Sequence, residues 1–268
     1  MMEKKMTLSK QVWKYAANKF TESDDQVVIE FPLTIVVNDE EFATMVCSPD
    51  NLEELVVGFL ASEGIIRQKT DIKHMAIDDG RGFAYIDLHT TSPIEVQSLS
   101  KRFIGSCCGK SRQFYLQNDV KTAKTAVTNL KISVEQCFHL MNSMQDSSVL
   151  FQQTGGVHNA ALCTASELLV SRTDIGRHNA LDKIYGHCIL QQIPVRDKII
   201  AFSGRVSSEV LLKVSKIGVG ILLSKSASTD LALQLAHDLN ITVIGFIRGQ
   251  KLNVYTHEKR ILDIEQLN

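Results

Sequence analysis

The second half of the chain carries three short, strongly apolar segments that are separated by helical patterns. The apolar segments are typical of buried β-strands, and they span residues 199–202, 220–223 and 241–246. Amphipathic patterns over 208–217 and 229–239 predict the two helices between them. Strands that alternate with helices at this spacing pair in parallel through right-handed crossovers. We therefore expect an α/β fold over residues 132–268, with a parallel or mixed sheet covered by helices.

The remaining segments of the second half fit the same sheet. The capping-box pattern Ser133-Val134-Glu135-Gln136 predicts a helix that runs to about Met144. We also predict a strand pair over 157–163 and 168–172, a helix over 179–190 and a last edge strand over 252–255.

The first half, residues 1–131, is predicted to be a smaller, strand-rich N-terminal part. The predicted strands cover 27–31, 33–37, 42–47, 72–77 and 83–88, with Pro32 as a break between the first two. One helix is expected over 52–62, started by Ser48 to Asn51 and ended at Gly64. Residues 1–25 are polar and predict a poorly ordered arm or a first strand, and residues 90–131 a long loop.

Three segments with small residues and a cation follow the predicted parallel strands. In open α/β sheets, ligands bind beyond the carboxyl ends of the strands. Two of the segments also open helices, whose N-termini attract phosphate or carboxylate groups. We therefore expect Ser203-Gly204-Arg205, the segment 224–229 with Ser226, and Arg248 to Lys251 to converge on a phosphorylated ligand. The alternative is that each segment is an ordinary strand-to-helix loop.

Two further stretches combine glycine with histidine. His158 follows Gly155 and Gly156 and precedes a predicted strand, whereas Arg177 and His178 stand near the start of a predicted helix. Histidines in such settings either have a structural role or contact a ligand and transfer protons. The sequence leaves both interpretations open.

The adjacent cysteines Cys107 and Cys108 lie between glycines and are followed by Lys110 and Arg112. Neighbouring cations favour the thiolate, which is the reactive form of cysteine. A loop over about 103–112 is therefore predicted to be mobile and reactive, although free cysteine is also a common packing residue. The other four cysteines lie in apolar segments and are predicted to be reduced core residues: Cys47, Cys137, Cys163 and Cys188.

Composition and missing motifs exclude several classes of function. The formal net charge of −1 gives no basic field for nucleic acid. No apolar run reaches the roughly 18 residues of a membrane span, and the N-terminus lacks a signal-peptide core, so we expect a cytoplasmic protein. The sequence has no Walker A loop, no G-x-G-x-x-G fingerprint and no C-x-x-C pair. A protein-bound metal is therefore not expected.

Taken together, the motifs resemble those of the FdhD family, the formate dehydrogenase accessory sulfurtransferases. The matching segments occur in the family's order along nearly the whole chain: 58–66, 107–110, 154–158, 174–183, 203–209 and 255–261.

The resemblance implies a function for the cysteine loop. Members of the family take persulfide sulfur from a cysteine desulfurase and pass it to the molybdenum (or tungsten) bis-molybdopterin guanine dinucleotide cofactor, before that cofactor enters formate dehydrogenase. The cofactor is cargo in this scheme. The resemblance further implies a cytidine-deaminase-like fold in the second half, a homodimer and a site for a guanine nucleotide. The family's cofactor contact falls on Phe246, Ile247, Arg248, Gly249, Gln250 and Lys251.

One departure from the family concerns the cysteines. Many relatives separate the two cysteines by two residues, whereas Cys107 and Cys108 are adjacent here. Either thiol is therefore a candidate carrier of the persulfide.

Two rival functions are considered. One is a non-catalytic chaperone that binds the cofactor. The other is a zinc-dependent deaminase, which the absence of an H-x-E and P-C-x-x-C signature disfavours.

Overall fold

The computed structural model of the chain describes residues 5–89, 102–104 and 122–266. Its N-terminal elements are, in order, β1 (Thr7–Ala16), β2 (Lys19–Val28), β3 (Phe31–Val37), β4 (Glu40–Cys47), α1 (Leu52–Ser62), β5 (Ile72–Asp78), β6 (Phe83–Leu88) and β7 (Arg102–Ile104). A 3-10 turn, Lys69–Asp71, precedes β5. The predicted helix and the β5–β6 hairpin are confirmed.

Two sheets form from these strands. β1 and β2 make a separate two-stranded antiparallel ribbon, and the other five strands form a sheet in the order β5-β6-β3-β4-β7. Ala17 and Asn18 join β1 to β2 with positive φ values of 49° and 61°. A two-residue turn of this kind matches the twist of the flanking strands and fixes their register. The predicted polar arm is thus a formed hairpin.

The C-terminal elements are, in order, α2 (Val134–Asp146), α3 (Val149–Thr154), β8 (His158–Cys163), β9 (Leu168–Asp174), α4 (Arg177–Leu190), β10 (Ile199–Phe202), α5 (Ser208–Ile217), β11 (Ile221–Ser224), α6 (Asp230–Asp238), β12 (Thr242–Arg248), β13 (Lys251–Val254) and α7 (Leu262–Glu265). A second 3-10 turn covers Glu258–Arg260.

The C-terminal sheet has six strands in the order β13-β12-β11-β10-β8-β9. β10, β11 and β12 are parallel, whereas β8, β9 and β13 run antiparallel to their neighbours. The predicted α/β class with a mixed sheet is therefore confirmed. The capping box at Ser133 is also present, since its hydroxyl accepts from the Gln136 N–H and its own N–H donates to the Gln136 side chain.

The two parts of the chain share one apolar core, and α1 packs directly on α4. Gly58 and Gly186 lie where these helices cross. A Cβ on Gly58 would overlap the Asp182 carbonyl, and a Cβ on Gly186 would overlap the Glu54 carbonyl. Glycine is therefore required at both positions, because the two backbones are in contact.

Several sequence-based boundaries are wrong. Residues 27–31 are not one strand, since β2 ends at Val28 and β3 begins at Phe31 and includes Pro32. Asn51 has φ 49° and its side chain makes no capping hydrogen bond. Phe103 and Ile104, predicted to be loop, pair in β7 with Thr44 and Met45 of β4. The helix α3 was not predicted.

The four cysteines assigned to the core are buried, as predicted. Burial raises the pKa of Cys137, Cys163 and Cys188 to about 12. None of the helices in the described ranges is long and apolar enough to cross a membrane.

Candidate functional site

Sheet topology brings the predicted site segments to one edge of the C-terminal sheet. The parallel strands β10, β11 and β12 all end there, and antiparallel pairing of β8 with β10 places the start of β8 at the same edge. The Ser203 N–H donates to the Asn159 carbonyl at 3.0 Å, and the Asn159 N–H donates to the Ser203 hydroxyl at 2.9 Å. We call this the carboxyl edge. It is where α/β proteins bind their ligands.

Hydrogen bonds join the loops at the carboxyl edge. The Ser224 hydroxyl donates to the Gly204 carbonyl at 2.9 Å, and the Val206 N–H donates to the Ala227 carbonyl at 2.9 Å. The Phe246 N–H then donates to the Ser226 carbonyl at 3.1 Å. The loops after β10, β11 and β12 therefore form one connected surface, which includes Ser203, Gly204, Ser226 and Phe246.

The segment Phe246 to Lys251 occupies the end of β12 and its turn into β13. Phe246 has a positive φ of 53°, and the strand register shifts between Gly245 and Arg248. The Arg248 guanidinium lies 5.3 Å from the centre of the Phe246 ring. Ile247 is buried, whereas Arg248, Gly249, Gln250 and Lys251 are exposed, and so is Arg205 in the neighbouring loop.

The first turn of α4 adds Arg177 and His178 to the carboxyl edge. His178 Nε2 lies 3.3 Å from Glu209 Oε2 in the first turn of α5. The contact with His178, against an opposing effect of burial, lowers the pKa of Glu209, and Arg177 and Lys213 add to the effect. Glu209 is thus a carboxylate that neutralises part of the positive charge at this edge.

His158 begins β8, next to the loop after β10. Burial lowers the pKa of His158, and the nearby charges of Arg177 and His178 lower it further. The imidazole is therefore neutral at neutral pH. A Cβ on Gly204 would stand 2.8 Å from Cζ of Phe202 and 3.5 Å from Nδ1 of His158, so glycine leaves the approach to this ring open.

Three buried polar side-chain atoms near the carboxyl edge make no hydrogen bond within the described part of the chain. They are Arg177 Nε, Ser228 Oγ and His178 Nε2, and the last of these still has Glu209 Oε2 as an ion-pair neighbour at 3.3 Å; the only other such atom among the described residues is Ser23 Oγ. Buried polar groups in folded proteins are normally paired. The Arg177 Nε–H and the Ser228 hydroxyl, which lack partners, suit a ligand with acceptor oxygens, such as a phosphate.

A buried ion pair fixes the start of α4 against the N-terminal part. Lys183 Nζ lies 2.8 Å from Asp174 Oδ2 and 2.6 Å from Asp50 Oδ1. Asp174 also accepts from the N–H groups of Ser48 at 3.0 Å and Gly176 at 2.8 Å. Ser48 and Asp50 therefore bind across this junction instead of starting α1. This is a structural role for part of the 174–183 motif.

Cys107 and Cys108, together with Lys110 and Arg112, lie outside the described residues. The strand before them, β7, runs parallel to β4, with Ile104 opposite Met45. It therefore points towards the end of the sheet where Val46 accepts from Asn179 Nδ2 at 3.0 Å. Asn179 follows His178 in α4, so the strand β7 itself points towards the junction beside the carboxyl edge.

Two residues of the site were not singled out, although Ser228 lies in the predicted segment 224–229 and Glu209 in the motif 203–209. Glu209 follows Ser207, which caps α5 by accepting from the Val210 N–H. Ser228 is placed by a parallel bridge with Val206 between two neighbouring loops. An acidic residue in the first turn of a helix, after a capping serine, is common and does not indicate a site. Glu209 is therefore recognised only by its proximity to His178 in the structure. Nothing in the sequence distinguishes Ser228 from the other serines of its loop.

Fold and site define an α/β protein whose carboxyl edge is polar and contains buried donors without hydrogen-bond partners. In its sequence, a cysteine pair follows the strand β7. The FdhD/NarQ family model matches residues 28–262, and the chain belongs to that family.

Curated relatives support this assignment over nearly the full length. The chain is 58% identical over 260 residues to the sulfur carrier protein FdhD of Bacillus licheniformis, covering 97% of this chain and 99% of that protein. It is 53% identical over 265 residues to the protein of the same name from Staphylococcus aureus, covering 99% and 100%. A crystal structure from Desulfotalea psychrophila, described as that of a formate dehydrogenase accessory protein, has a TM-score of 0.78 at 24% identity. It covers 96% of this chain and 100% of that one. This last similarity concerns the fold.

Proposed function

We propose that this chain is a sulfur carrier that serves formate dehydrogenase. In the proposal it accepts persulfide sulfur from a cysteine desulfurase on Cys107 or Cys108. It passes the sulfur to the molybdenum (or tungsten) bis-molybdopterin guanine dinucleotide cofactor. The names of the curated relatives support the sulfur-carrier role, since the sequences match from end to end. The cofactor is the cargo of the reaction and leaves with the sulfur.

The first step is a thiol–persulfide exchange. A carrier thiolate attacks the outer sulfur of the donor's persulfide, a new S–S bond forms, and the donor's S–S bond breaks as its thiolate leaves. The exchange needs no external oxidant or reductant. Release of the outer sulfur as sulfide takes two electrons, and in this proposal the reduced metal of the cargo supplies them. The carrier returns to its thiolate form.

The observation that carries the cargo-binding part is the set of unpartnered buried atoms at the carboxyl edge. Arg177 Nε and Ser228 Oγ can each donate to phosphate oxygens, and neutral His158 can donate or accept a hydrogen bond. Exposed Arg205 and Arg248 add positive charge without deep burial. These groups fit a nucleotide diphosphate, which the cargo carries at its guanine end.

The path of the chain supports a connection between cysteines and cargo. β7 points towards the junction at which Val46 and Ser48 bind Asn179 and Asp174. Arg177 and His178 lie in that same helix start. A carrier has to visit both a donor protein and the cargo, and loop residues on a rigid scaffold suit this task.

A double substitution tests the sulfur-carrier role. We expect Cys107→Ala/Cys108→Ala to abolish maturation of formate dehydrogenase while the protein keeps its unfolding midpoint. Substitution of two buried cysteines, Cys137→Ala/Cys163→Ala, is the control, and it should retain maturation if the protein remains folded. Full maturation by the first variant would refute the proposal.

Calorimetric titration with guanosine diphosphate tests the binding site. Arg177→Gln should weaken binding about tenfold, because a charged donor to phosphate is lost. Arg196→Gln, an exposed arginine before β10, is the charge-matched control and should have no effect. Equal affinities for the two variants would place the nucleotide elsewhere.

A non-catalytic chaperone for the same cofactor is the second candidate. It is favoured by Arg177 Nε and Ser228 Oγ at the carboxyl edge, since these donors suit cofactor binding, a function that needs no reactive thiol. A chaperone would retain formate dehydrogenase maturation in the Cys107→Ala/Cys108→Ala variant and lose it in Arg177→Gln.

We also propose a homodimer, on the basis of the family resemblance. Light scattering on the purified protein tests it.

A further inference from the structure

The β1–β2 hairpin segregates its side chains into two chemically different faces. Side chains alternate along a strand, and the pairings Trp13↔Glu22 and Tyr15↔Phe20 assign residues to faces. One face, which we call the aromatic face, carries Gln11, Trp13, Tyr15, Phe20, Glu22 and Asp24, and the same side continues at the base of the hairpin with Thr7, Ser9, Gln26 and Val28. The opposite face consists of Leu8, Lys10, Val12, Lys14, Ala16, Lys19, Thr21, Ser23, Asp25 and Val27.

The aromatic face is turned to solvent. Trp13, the only tryptophan of the chain, is 67% exposed, and Tyr15 and Phe20 are 60% and 62% exposed. Eleven large apolar residues of the described chain are exposed, and three of them lie on this face; Leu8 and Val27, at 42% and 43%, are less exposed and lie on the opposite face. The partly buried residues at its centre, Val12, Ser23 and Asp25, all lie on the opposite face.

The hairpin is a formed element and not a frayed terminus. Ten residue pairs run in unbroken register from Thr7↔Val28 to Ala16↔Lys19. The rings of Tyr15 and Phe20 are 4.9 Å apart, and Lys14 pairs with Asp25 at 2.7 Å on the opposite face. An isolated two-stranded ribbon is marginally stable in water, so an exposed one gains from a partner that covers it.

The base of the hairpin is anchored beside the carboxyl edge. β2 packs against α3, and a Cβ on Gly156 would stand 3.0 Å from a methyl group of Val28. Gly156 precedes His158 by two residues. The aromatic side chains themselves lie near the far end of the hairpin, so the base alone connects the aromatic face to the candidate site.

Charge selects the class of partner. The aromatic face carries the carboxylates of Glu22 and Asp24 and no cation, whereas the three lysines of the hairpin lie on the opposite face. Two copies of the aromatic face placed together would oppose like charges, and anionic lipid or nucleic acid would be repelled. Exposed aromatic side chains are typical anchors of protein interfaces.

We propose that the aromatic face of the hairpin is the docking surface for a different protein, whose contact patch is apolar and surrounded by lysine or arginine. The inference goes beyond the proposed function and does not depend on it. A homodimer through another surface is compatible with it.

Photocrosslinking in the native cells tests the proposal with the full chain. p-Benzoylphenylalanine replaces Tyr15 in one variant and Leu231, which is 48% exposed on α6, in a control. We expect a crosslink from position 15 to one other protein, with the attached peptide mapping to an apolar patch rich in lysine or arginine, and no such crosslink from position 231. No crosslink, or a crosslink only to a second copy of this chain, would overturn the inference.

Charge reversal supplies the second measurement. Glu22→Lys/Asp24→Lys in the crosslinking variant should lower the crosslink yield about tenfold, because both charges then repel the partner. Asp87→Lys/Glu167→Lys makes the same change in net charge at exposed positions away from the hairpin and should leave the yield unchanged. Both double variants alter solvent-exposed side chains, so folding is preserved. Equal yields for the two variants would contradict the electrostatic basis of the proposal.

Discussion

Replacement of Lys183 by methionine removes the cation that neutralises two carboxylates at the junction of the two parts of the chain. The side chains of Lys183 and Asp174 are both 0% exposed, whereas Asp50 is 28% exposed. Removal of one member of a buried ion pair costs about 3–5 kcal/mol, because the other charge stays buried without a partner. The partly exposed partner Asp50 adds little to this. Methionine has a similar volume, so no large cavity contributes.

The pH dependence of the ion pair sets the conditions of the measurement. Burial lowers the pKa of Lys183, but Asp174 and Asp50 outweigh this effect, and the pKa is raised above the ordinary 10.5. A raised pKa means that the stabilisation is fully present below pH 10.5 and is lost as the pH rises through the folded-state value. Burial raises the pKa of Asp174 although Lys183 opposes this, so the ionised carboxylate costs stability once the pH exceeds its ordinary value. Measurements at neutral pH therefore report the whole contribution of the Lys183 cation.

Urea-induced unfolding followed by circular dichroism measures the loss. Lys183→Met should lower the free energy of unfolding by about 3–5 kcal/mol. Lys198→Met is the control: that lysine pairs at 2.7 Å with Asp197, which is 69% exposed. The control should lose less than about 1 kcal/mol. The double variant Asp174→Asn/Lys183→Met should recover at least about 1 kcal/mol. A loss below about 1 kcal/mol for Lys183→Met would refute the assigned role.

Three further predictions concern the helix crossing, the site histidine and the buried thiols. Gly186→Ala should destabilise the protein by at least about 2 kcal/mol in the same urea assay, because a Cβ there overlaps the Glu54 carbonyl, whereas Gly80→Ala, with its nearest atom at 3.6 Å, should be near neutral. NMR titration should give His158 a pKa below 6.5, since burial disfavours its charged form; the unfolded chain then binds the proton more readily, and stability falls as the pH drops below 6.5. A pKa above 6.5 would contradict the site electrostatics. A maleimide reagent at pH 7 should leave Cys137, Cys163 and Cys188 unmodified in the native protein, because burial raises the pKa of these thiols to about 12. Modification of these thiols before the protein unfolds would contradict their burial.

Much of the fold could be predicted because the C-terminal strands and helices have strong periodicity. The helices at 52–62 and 208–217 are confirmed at both ends, since apolar spacing defines both and Ser207 caps the second. The β1–β2 hairpin was harder to predict, because a ribbon exposed on both faces lacks an alternating apolar pattern. Asn51 failed as a cap because Ser48 and Asp50 are bound to the other part of the chain. Only the three-dimensional fold shows such contacts.

The candidate site was also predictable only in part from the sequence. Ser203, Gly204 and Ser226 were predicted at the carboxyl edge, because strand ends in a parallel sheet must meet there. The pairing of His178 with Glu209 was not predictable, since the two residues belong to different helices. The buried Lys183 was interpreted only as part of a motif, because a sequence does not reveal which charges are buried together.

Mass spectrometry of the chain after incubation with a cysteine desulfurase and cysteine tests the central claim most directly. We predict that the intact protein gains the mass of one sulfur atom, and that peptide mapping locates it on Cys107 or Cys108. The Cys107→Ala/Cys108→Ala variant should gain none. An unchanged mass for the original protein, or added sulfur only on one of the buried cysteines, would contradict the proposal that this chain carries persulfide sulfur.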